Sequence, residues 1–139
     1  MTKEEFEIKL IEDLVNKGIP YLYNYLHDNR KILKQNKDHF REYFLNASVY
    51  AYHYAYYVDD CPREDTRKEA CKKPEYAYSY AYNVDKYPRD DTRKAACKDP
   101  WNAYFYARYV DKCPREDTFN GVKGTEYEER YLRNIGKPS

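Results

Sequence analysis

The residues best suited to recognition chemistry lie at helical spacing in the last third of the chain. Trp101, Phe105, Arg108, Tyr109 and Lys112 follow one another at intervals of four, three, one and three residues, which places them on one helix face. Tryptophan, tyrosine and arginine dominate binding energy at protein interfaces, because they bury a large area while losing few rotatable bonds. The spacing therefore predicts a partner-binding surface.

Catalytic chemistry finds little support in the other residues. His27, His39 and His53 are scattered along the chain, with no second ligand at a useful spacing. Tyr82 and Lys86 match the Tyr-x-x-x-Lys spacing of some dehydrogenases, but no nucleotide-binding fingerprint accompanies them. We therefore expect no enzymatic activity, no cofactor and no metal site.

Composition narrows the class of protein further. The chain has 139 residues, nineteen tyrosines and a net charge of +1. It therefore lacks the excess of basic residues that is typical of a general nucleic-acid binder. No apolar run reaches membrane-spanning length, and the N-terminus is too acidic for a signal peptide. The cysteines form no CxxC pair and are expected to be reduced thiols. Together these features predict a cytoplasmic protein.

The helix that carries the predicted surface belongs to a 26-residue repeat. Residues 66–91 and 92–117 are close copies, residues 40–65 are a diverged copy, and a decayed copy begins at residue 118. A fixed period of this length indicates stacked units that each bury an apolar face against a neighbour. The sequence thus predicts an all-α fold, specifically an α-solenoid of short two-helix repeats.

Aspartate and proline residues mark the predicted ends of two helices in each copy. Asp65 and Asp91 are expected to cap the first helix, since aspartate is favoured at a helix N-cap. Pro74 and Pro100 are expected to end that helix and begin the second, because proline is tolerated in a first turn but not in a helix interior.

Helical caps are expected at both ends of the stack. The N-terminal one contains an amphipathic helix over residues 3–16 and a second helix that starts at Pro20. The repeat pattern breaks at Phe119, and a final helix follows a capping box of Thr125 and Glu128. The predicted organisation is one continuous domain made of an N-terminal cap (1–39), three repeats (40–117) and a degenerate repeat or C-terminal cap (118–139).

The copies can be compared with one another along the second helix. On a helical wheel, the positions that are identical in all three copies form one arc, and the positions that vary form another. We expect the identical positions to pack against the next unit and the variable positions to face outward. The outward face adds further members to the predicted partner-binding surface: His53, Tyr56, Tyr57 and Tyr82.

Charged residues recur with the same period. Repeated Asp–Arg pairs between units are expected to fix the register of the stack, and the candidates are Asp59, Asp85, Asp111, Arg63, Arg89 and Arg115. A basic row along the first helices offers an alternative site that follows a phosphate backbone, with tyrosines nearby to stack bases. Its members are Arg67, Lys68, Lys72, Lys73, Arg93, Lys94 and Lys98.

Two families share these patterns. The stretch DTRKAACKDP, the aromatic helix after it and VDKCPRED resemble HEAT and leucine-rich-variant repeats, although tyrosine stands where those families use leucine and the unit is shorter. The same residues resemble tyrosine-rich DTRKAAC-type repeats of uncharacterised bacterial and bacteriophage proteins. The first resemblance implies a stack of helices. The second carries no established activity, and we expect a chain that resembles phage-associated repeats to block a host protein.

We therefore expect a non-catalytic protein–protein interaction module that acts by occlusion or scaffolding. The most specific version of this hypothesis is a phage-type, anti-CRISPR-like inhibitor that blocks a bacterial defence component in the host cytoplasm. The alternative is a nucleic-acid-binding repeat protein that uses the basic row. A third interpretation is self-association, in which the outward aromatics pair with a second copy of the chain. None of these involves a membrane.

Overall fold

The structure is a computed structural model that describes residues 1–139, and it is entirely helical, as predicted. The N-terminal part contains four helices: α1 (Lys3–Lys17), α2 (Leu22–Asp28), α3 (Arg30–Gln35) and α4 (Lys37–Phe44). Seven short helices follow: α5 (Ser48–Tyr54), α6 (Glu64–Ala70), α7 (Pro74–Tyr80), α8 (Asp90–Ala96), α9 (Pro100–Phe105), α10 (Glu116–Val122) and α11 (Glu128–Asn134). No helix combines the length and the apolar character that crossing a bilayer requires.

The second helix of each repeat ends in the same unusual way. Helices α5, α7 and α9 each run on into a π-helical turn, at Ala55–Asp59, Ala81–Asp85 and Tyr106–Asp111. The next residue has a left-handed backbone, and its N–H donates to the carbonyl five residues earlier. These residues are Asp60, Lys86 and Lys112, with φ of 56°, 61° and 58°.

Proline begins the second helices as predicted, but aspartate does not cap the first ones. Pro74 and Pro100 are the first residues of α7 and α9. Helix α8 already begins at Asp90, after an extended Arg89, so that Asp91 lies inside the first turn. The Asp91 carboxylate accepts a hydrogen bond from the Thr92 N–H at 2.8 Å and pairs with the Arg89 guanidinium. The predicted N-caps at Asp65 and Asp91 are therefore wrong by two residues.

Buried tyrosines form the centre of each unit. The Tyr80 hydroxyl donates to the Arg63 carbonyl at 2.9 Å, accepts from the Arg63 N–H at 2.9 Å and lies 2.8 Å from the Thr66 hydroxyl. Tyr106 makes the same three contacts in the next copy, with Arg89 and Thr92. Each ring is fully buried while its hydroxyl satisfies the backbone that enters the first helix.

A buried Arg–Asp pair joins the first helix of each unit to the end of its second helix. It is not the pair that the sequence suggested. The Arg67 guanidinium contacts the Asp85 carboxylate at 2.6 Å, and the Arg93 guanidinium contacts the Asp111 carboxylate at 2.7 Å. Arg41 pairs with Asp59 through one terminal nitrogen only, so that Nε of Arg41 and Oδ2 of Asp59 have no hydrogen-bond partner, and its other terminal nitrogen donates to Asp65. Each pair lies within one copy rather than between copies, and the hydrogen bonds that Arg67 donates to the Asp85 carboxylate raise the pKa of Arg67.

The arginines expected in this ladder lie elsewhere. Arg63, Arg89 and Arg115 pair with the aspartate two residues later, at N–O distances of 3.6, 3.0 and 3.1 Å, with guanidinium groups that reach solvent. The buried arginines stack on the central tyrosines, with guanidinium carbons 5.5 and 5.6 Å from the ring centroids of Tyr80 and Tyr106.

Neighbouring units meet through a small apolar cluster that recurs every 26 residues. One cluster joins Ala55 of the first copy to Ala70, Tyr80 and Val84 of the second. The next cluster contains the residues 26 positions later: Ala81, Ala96, Tyr106 and Val110. Alanine is suited to this place because it lets helix backbones approach closely while a tyrosine ring fills the remaining space.

The N-terminal region departs from the predicted pair of helices. Helix α1 ends before Gly18 as expected, and Ile11 and Val15 are buried. The second helix starts at Leu22 rather than Pro20, after a left-handed Tyr21. The helical run is interrupted at Asn29 and at Asn36, which separate α2, α3 and α4. The other side of the α1 apolar stripe is exposed, and it consists of Phe6, Leu10 and Leu14.

The C-terminal region keeps more of the repeat than the sequence indicated. Helix α10 continues through Phe119 and Gly121, although the repeat pattern of the sequence breaks there. Thr125 is not the N-cap of α11, because that helix begins after Tyr127; the Thr125 hydroxyl donates to the Val122 carbonyl and accepts from the Tyr127 N–H. Tyr131 contacts the Arg115 backbone as Tyr80 contacts that of Arg63. The predicted boundaries at residues 39 and 117 stay predictions.

The buried ion pair yields a stability prediction. Arg67→Ala leaves the Asp85 carboxylate buried without its partner, and we expect the free energy of unfolding to fall by about 3–5 kcal/mol. Arg115→Ala removes an arginine from a surface pair and should cost less than about 1 kcal/mol. Urea unfolding of both variants checks this comparison. Equal losses would show that the buried pair contributes no more than the exposed one.

Candidate binding surface

The residues predicted to bind a partner share one side of the second helices, with different degrees of exposure. Trp101, Tyr109, Tyr56 and Tyr82 expose 44%, 37%, 42% and 50% of their surface. Arg108 and Lys112 are also exposed. The remaining predicted members, Phe105, His53 and Tyr57, are half-buried.

Aromatic rings join the second and third copies into a continuous surface. In the third copy, Trp101 meets Phe105 edge-on with centroids 4.5 Å apart, and Phe105 stacks with Tyr109 at 5.6 Å. Between the copies, Phe105 stacks with Tyr78 at 5.9 Å, and Tyr109 meets Tyr82 at 6.3 Å. We call Trp101, Phe105, Tyr109 and Tyr82 the aromatic belt. These contacts between neighbouring rings favour the observed ring orientations in the chain without a ligand.

The belt is bordered by the Arg108 guanidinium and by the C-terminal segment. The Arg108 guanidinium lies 5.2 Å from the Tyr109 centroid and donates to the Tyr104 hydroxyl at 2.8 Å. The Trp101 ring packs against Tyr127 at 5.4 Å, yet nearly half of the tryptophan remains exposed. The C-terminal segment therefore supports this end of the belt without covering it.

The first copy is more enclosed than the third. Tyr57 stacks with His53 at 6.1 Å and meets Tyr23 of the N-terminal region at 5.2 Å. Nδ1 of His53 lies 2.8 Å from the Val49 carbonyl, and burial lowers the pKa of this histidine. A neutral, partly covered imidazole offers a partner little, so Tyr56 is the main accessible ring of this copy.

The basic row is weaker than the sequence suggested. Arg67 and Arg93 were placed in this row but are 8% and 5% exposed, because each is paired with a buried aspartate. The lysines of the row are exposed, although Lys72 pairs with Glu69 at 2.7 Å. The nucleic-acid alternative therefore keeps only the following members: Lys68, Lys72, Lys73, Lys94 and Lys98.

Sequence reasoning missed several residues of this side of the molecule. Tyr78 is identical in all three copies, a kind of position expected to pack against the next unit, and its half-buried ring does so by stacking on Phe105 of the belt. Tyr87, which is 49% exposed, occupies the repeat position of Cys61 and Cys113. Lys86 was visible as the equivalent of Lys112 at a variable position, and that equivalence was the signal that could have identified it.

Comparisons with known proteins identify no relative. No family model matches the chain, and neither the curated protein sequences nor the solved structures contain a match. The likeness to HEAT-type and phage repeats thus remains a resemblance of sequence pattern. The structure also contains no cluster of three or more His, Cys, Asp or Glu side chains that is arranged to hold a metal ion.

The cysteines divide into two groups with different reactivity. Burial raises the pKa of Cys71 to about 11 and that of Cys97 to about 12. Cys61 and Cys113 are exposed. Because the thiolate is the reactive form, we expect iodoacetamide at pH 8 to alkylate the exposed pair at least roughly tenfold faster than the half-buried Cys71 and Cys97. Peptide mapping over time measures the four rates, and similar rates for all four would contradict the packing of the half-buried thiols.

Proposed function

We propose that the chain is a short α-solenoid whose aromatic belt binds another protein without catalysis. The stacked arrangement is supported by the contacts between copies, since the Ala55–Ala70 cluster recurs 26 residues later as the Ala81–Ala96 cluster. A third cluster continues the series, with Ala107 and Val122 in the corresponding places. Units that contact only their neighbours in this way build extended surfaces.

The aromatic belt is the observation that carries the protein-binding proposal. Its exposed rings extend over two consecutive units and are held by one another rather than by a bound partner. A rigid ring loses little conformational entropy on binding, and tryptophan and tyrosine provide large contact areas. The cation of Arg108 beside the belt adds a residue type that is enriched at interface centres.

The proposed partner class rests on the sequence resemblance. Similarity to phage-associated repeats supports a bacterial defence protein as the target, with blocking of that protein as the mode of action. Expression of the chain in a defended bacterial strain should then restore plaque formation by a sensitive phage. A chain with Trp101→Ala and Tyr82→Ala should not restore it, because both changes remove exposed rings of the belt.

The protein-binding proposal predicts the loss of a specific complex. The tagged chain should retain a bacterial protein that mass spectrometry identifies and that forms a complex with it after both are purified. The Trp101→Ala/Tyr82→Ala variant should weaken this complex at least roughly a hundredfold, since each anchor residue contributes about 2 kcal/mol or more. Titration of the purified pair by calorimetry measures the difference.

A matched variant tests whether the belt or any exposed apolar surface is responsible. Phe6→Ala/Leu10→Ala removes exposed apolar side chains from α1, far from the belt in sequence, and should leave the complex unchanged. Loss of the complex in this variant instead would place the site on the N-terminal region. Recovery of nuclease-sensitive material alone would favour nucleic acid, and a concentration-dependent mass of the isolated chain would favour self-association.

A further inference from the structure

Two grooves on the protein are equivalent by the repeat. The first groove, of about 500 Å³, lies between the second helices of the first and second copies, and the second groove, of about 610 Å³, lies between those of the second and third copies. Each residue named here for the first groove has its counterpart 26 positions later in the second. Tyr56, Asp60, Pro62, Val84 and Lys86 correspond to Tyr82, Lys86, Pro88, Val110 and Lys112.

The grooves combine an apolar floor, tyrosine walls and cationic rims. Alanine and valine side chains from the packed units form part of each floor. Lys86 and Lys112 line the second groove, which contains no carboxylate, and Arg30 and Lys86 accompany Asp60 in the first. None of these three cations forms a salt bridge within the chain. An acidic ligand would therefore meet free positive charge.

The backbone at the rims supports a role for the lysine side chains. Lys86 and Lys112 both adopt the left-handed conformation, with φ of 61° and 58°. Glycine is the usual residue there because other residues pay roughly 1–2 kcal/mol for it. Asp60 has the same conformation at the equivalent place of the first groove, so a side chain is kept at all three places despite the backbone strain, and two of the three are unpaired lysines.

The spacing of the grooves selects the conformation of a ligand. Neighbouring packed helices lie about 8–10 Å apart, so equivalent points of the two grooves are separated by a similar distance. A polyproline II segment rises about 3.1 Å per residue and returns to the same face every third residue, after about 9 Å. A β-strand alternates its faces, so residues three apart point in opposite directions.

We propose that the two grooves bind an acidic, proline-rich segment of a protein partner in the polyproline II conformation. Proline rings pack on the tyrosines, and an acidic side chain at every third position pairs with Lys86 or Lys112. Aromatic-lined grooves favour this conformation because it is already formed in the free peptide and loses little entropy on binding. This inference rests on the proposed function and specifies the chemistry of the partner.

Fluorescence anisotropy with defined peptides tests the inference directly. A labelled peptide of four Pro-Pro-Glu triplets should bind, and four Pro-Pro-Lys triplets should not. A peptide of the same composition as the first, with its glutamates gathered at one end, should bind more weakly because it cannot serve both grooves. Lys86→Gln/Lys112→Gln should weaken binding of the Pro-Pro-Glu peptide about tenfold, as expected for lost charge-assisted hydrogen bonds.

A control with equal change of charge isolates the grooves from general electrostatics. Lys68→Gln/Lys94→Gln removes two exposed lysines of the first helices and should leave the affinity within about twofold. Equal binding of the Glu and Lys peptides, or equal weakening by both double variants, would overturn the inference. Tighter, groove-dependent binding of oligothymidylate would overturn it in favour of nucleic acid.

The outcome also separates this inference from the proposed function. If the peptides fail to bind while the complex with a lysate protein still depends on Trp101 and Tyr82, the ligand class is wrong and the belt remains a protein-binding surface. If the peptide binds in the grooves and no protein complex depends on the belt, the inferred chemistry stands and the belt is not the interface.

Discussion

The buried Arg–Asp pair is the constraint on which the architecture of each unit depends. Arg67 reaches from the first helix to the final turn of the second, where the Asp85 carboxylate is fully enclosed. The same guanidinium lies over the Tyr80 ring, whose hydroxyl binds the backbone just before that first helix. Removal of either charged side chain would leave the other buried without a partner of opposite charge. The pair, the ring and the backbone therefore hold one another in a single arrangement.

The last unit shows how the chain ends this arrangement without an unpaired charge. Phe119 occupies the position of Arg93 and packs on Tyr131 with centroids 5.4 Å apart, where the arginine would have lain over the ring. Counted from Tyr131 as Asp111 is counted from Tyr106, the position that would supply the aspartate is Gly136. Gly121 fits beneath α9 because a Cβ atom there would lie 2.8 Å from Cβ of Ala103. An apolar contact thus replaces the ionic one where no partner remains.

The 26-residue periodicity made much of the helical fold predictable. It could not show which of the repeated arginines pairs with the buried aspartate. Identity between copies indicated the helices, the prolines that begin them and the buried face that contains Tyr80 and Tyr106. Arg67 and Arg63 are both invariant between close copies, and only their positions in three dimensions decide which one reaches Asp85. The aromatic belt was predicted from spacing, but the grooves require side chains of two units and could not be seen in one helix. The divided N-terminal helices lie outside the repeat and had no internal comparison to guide them.

The recurring junction has a consequence for how such a chain can change over generations. Each interface between copies presents the same alanines, valine and tyrosine to the next, so a unit that ends at Asp91 is compatible with any unit that begins at Thr92. Unequal recombination between the matching gene segments would add or remove 26 residues in frame while every interior contact kept a suitable partner. In the proposed solenoid, Phe119 and the N-terminal helices would remain at the two ends whatever the number of copies between them. Length is therefore a property that this architecture can alter in one genetic event, independently of the side chains on its outer face.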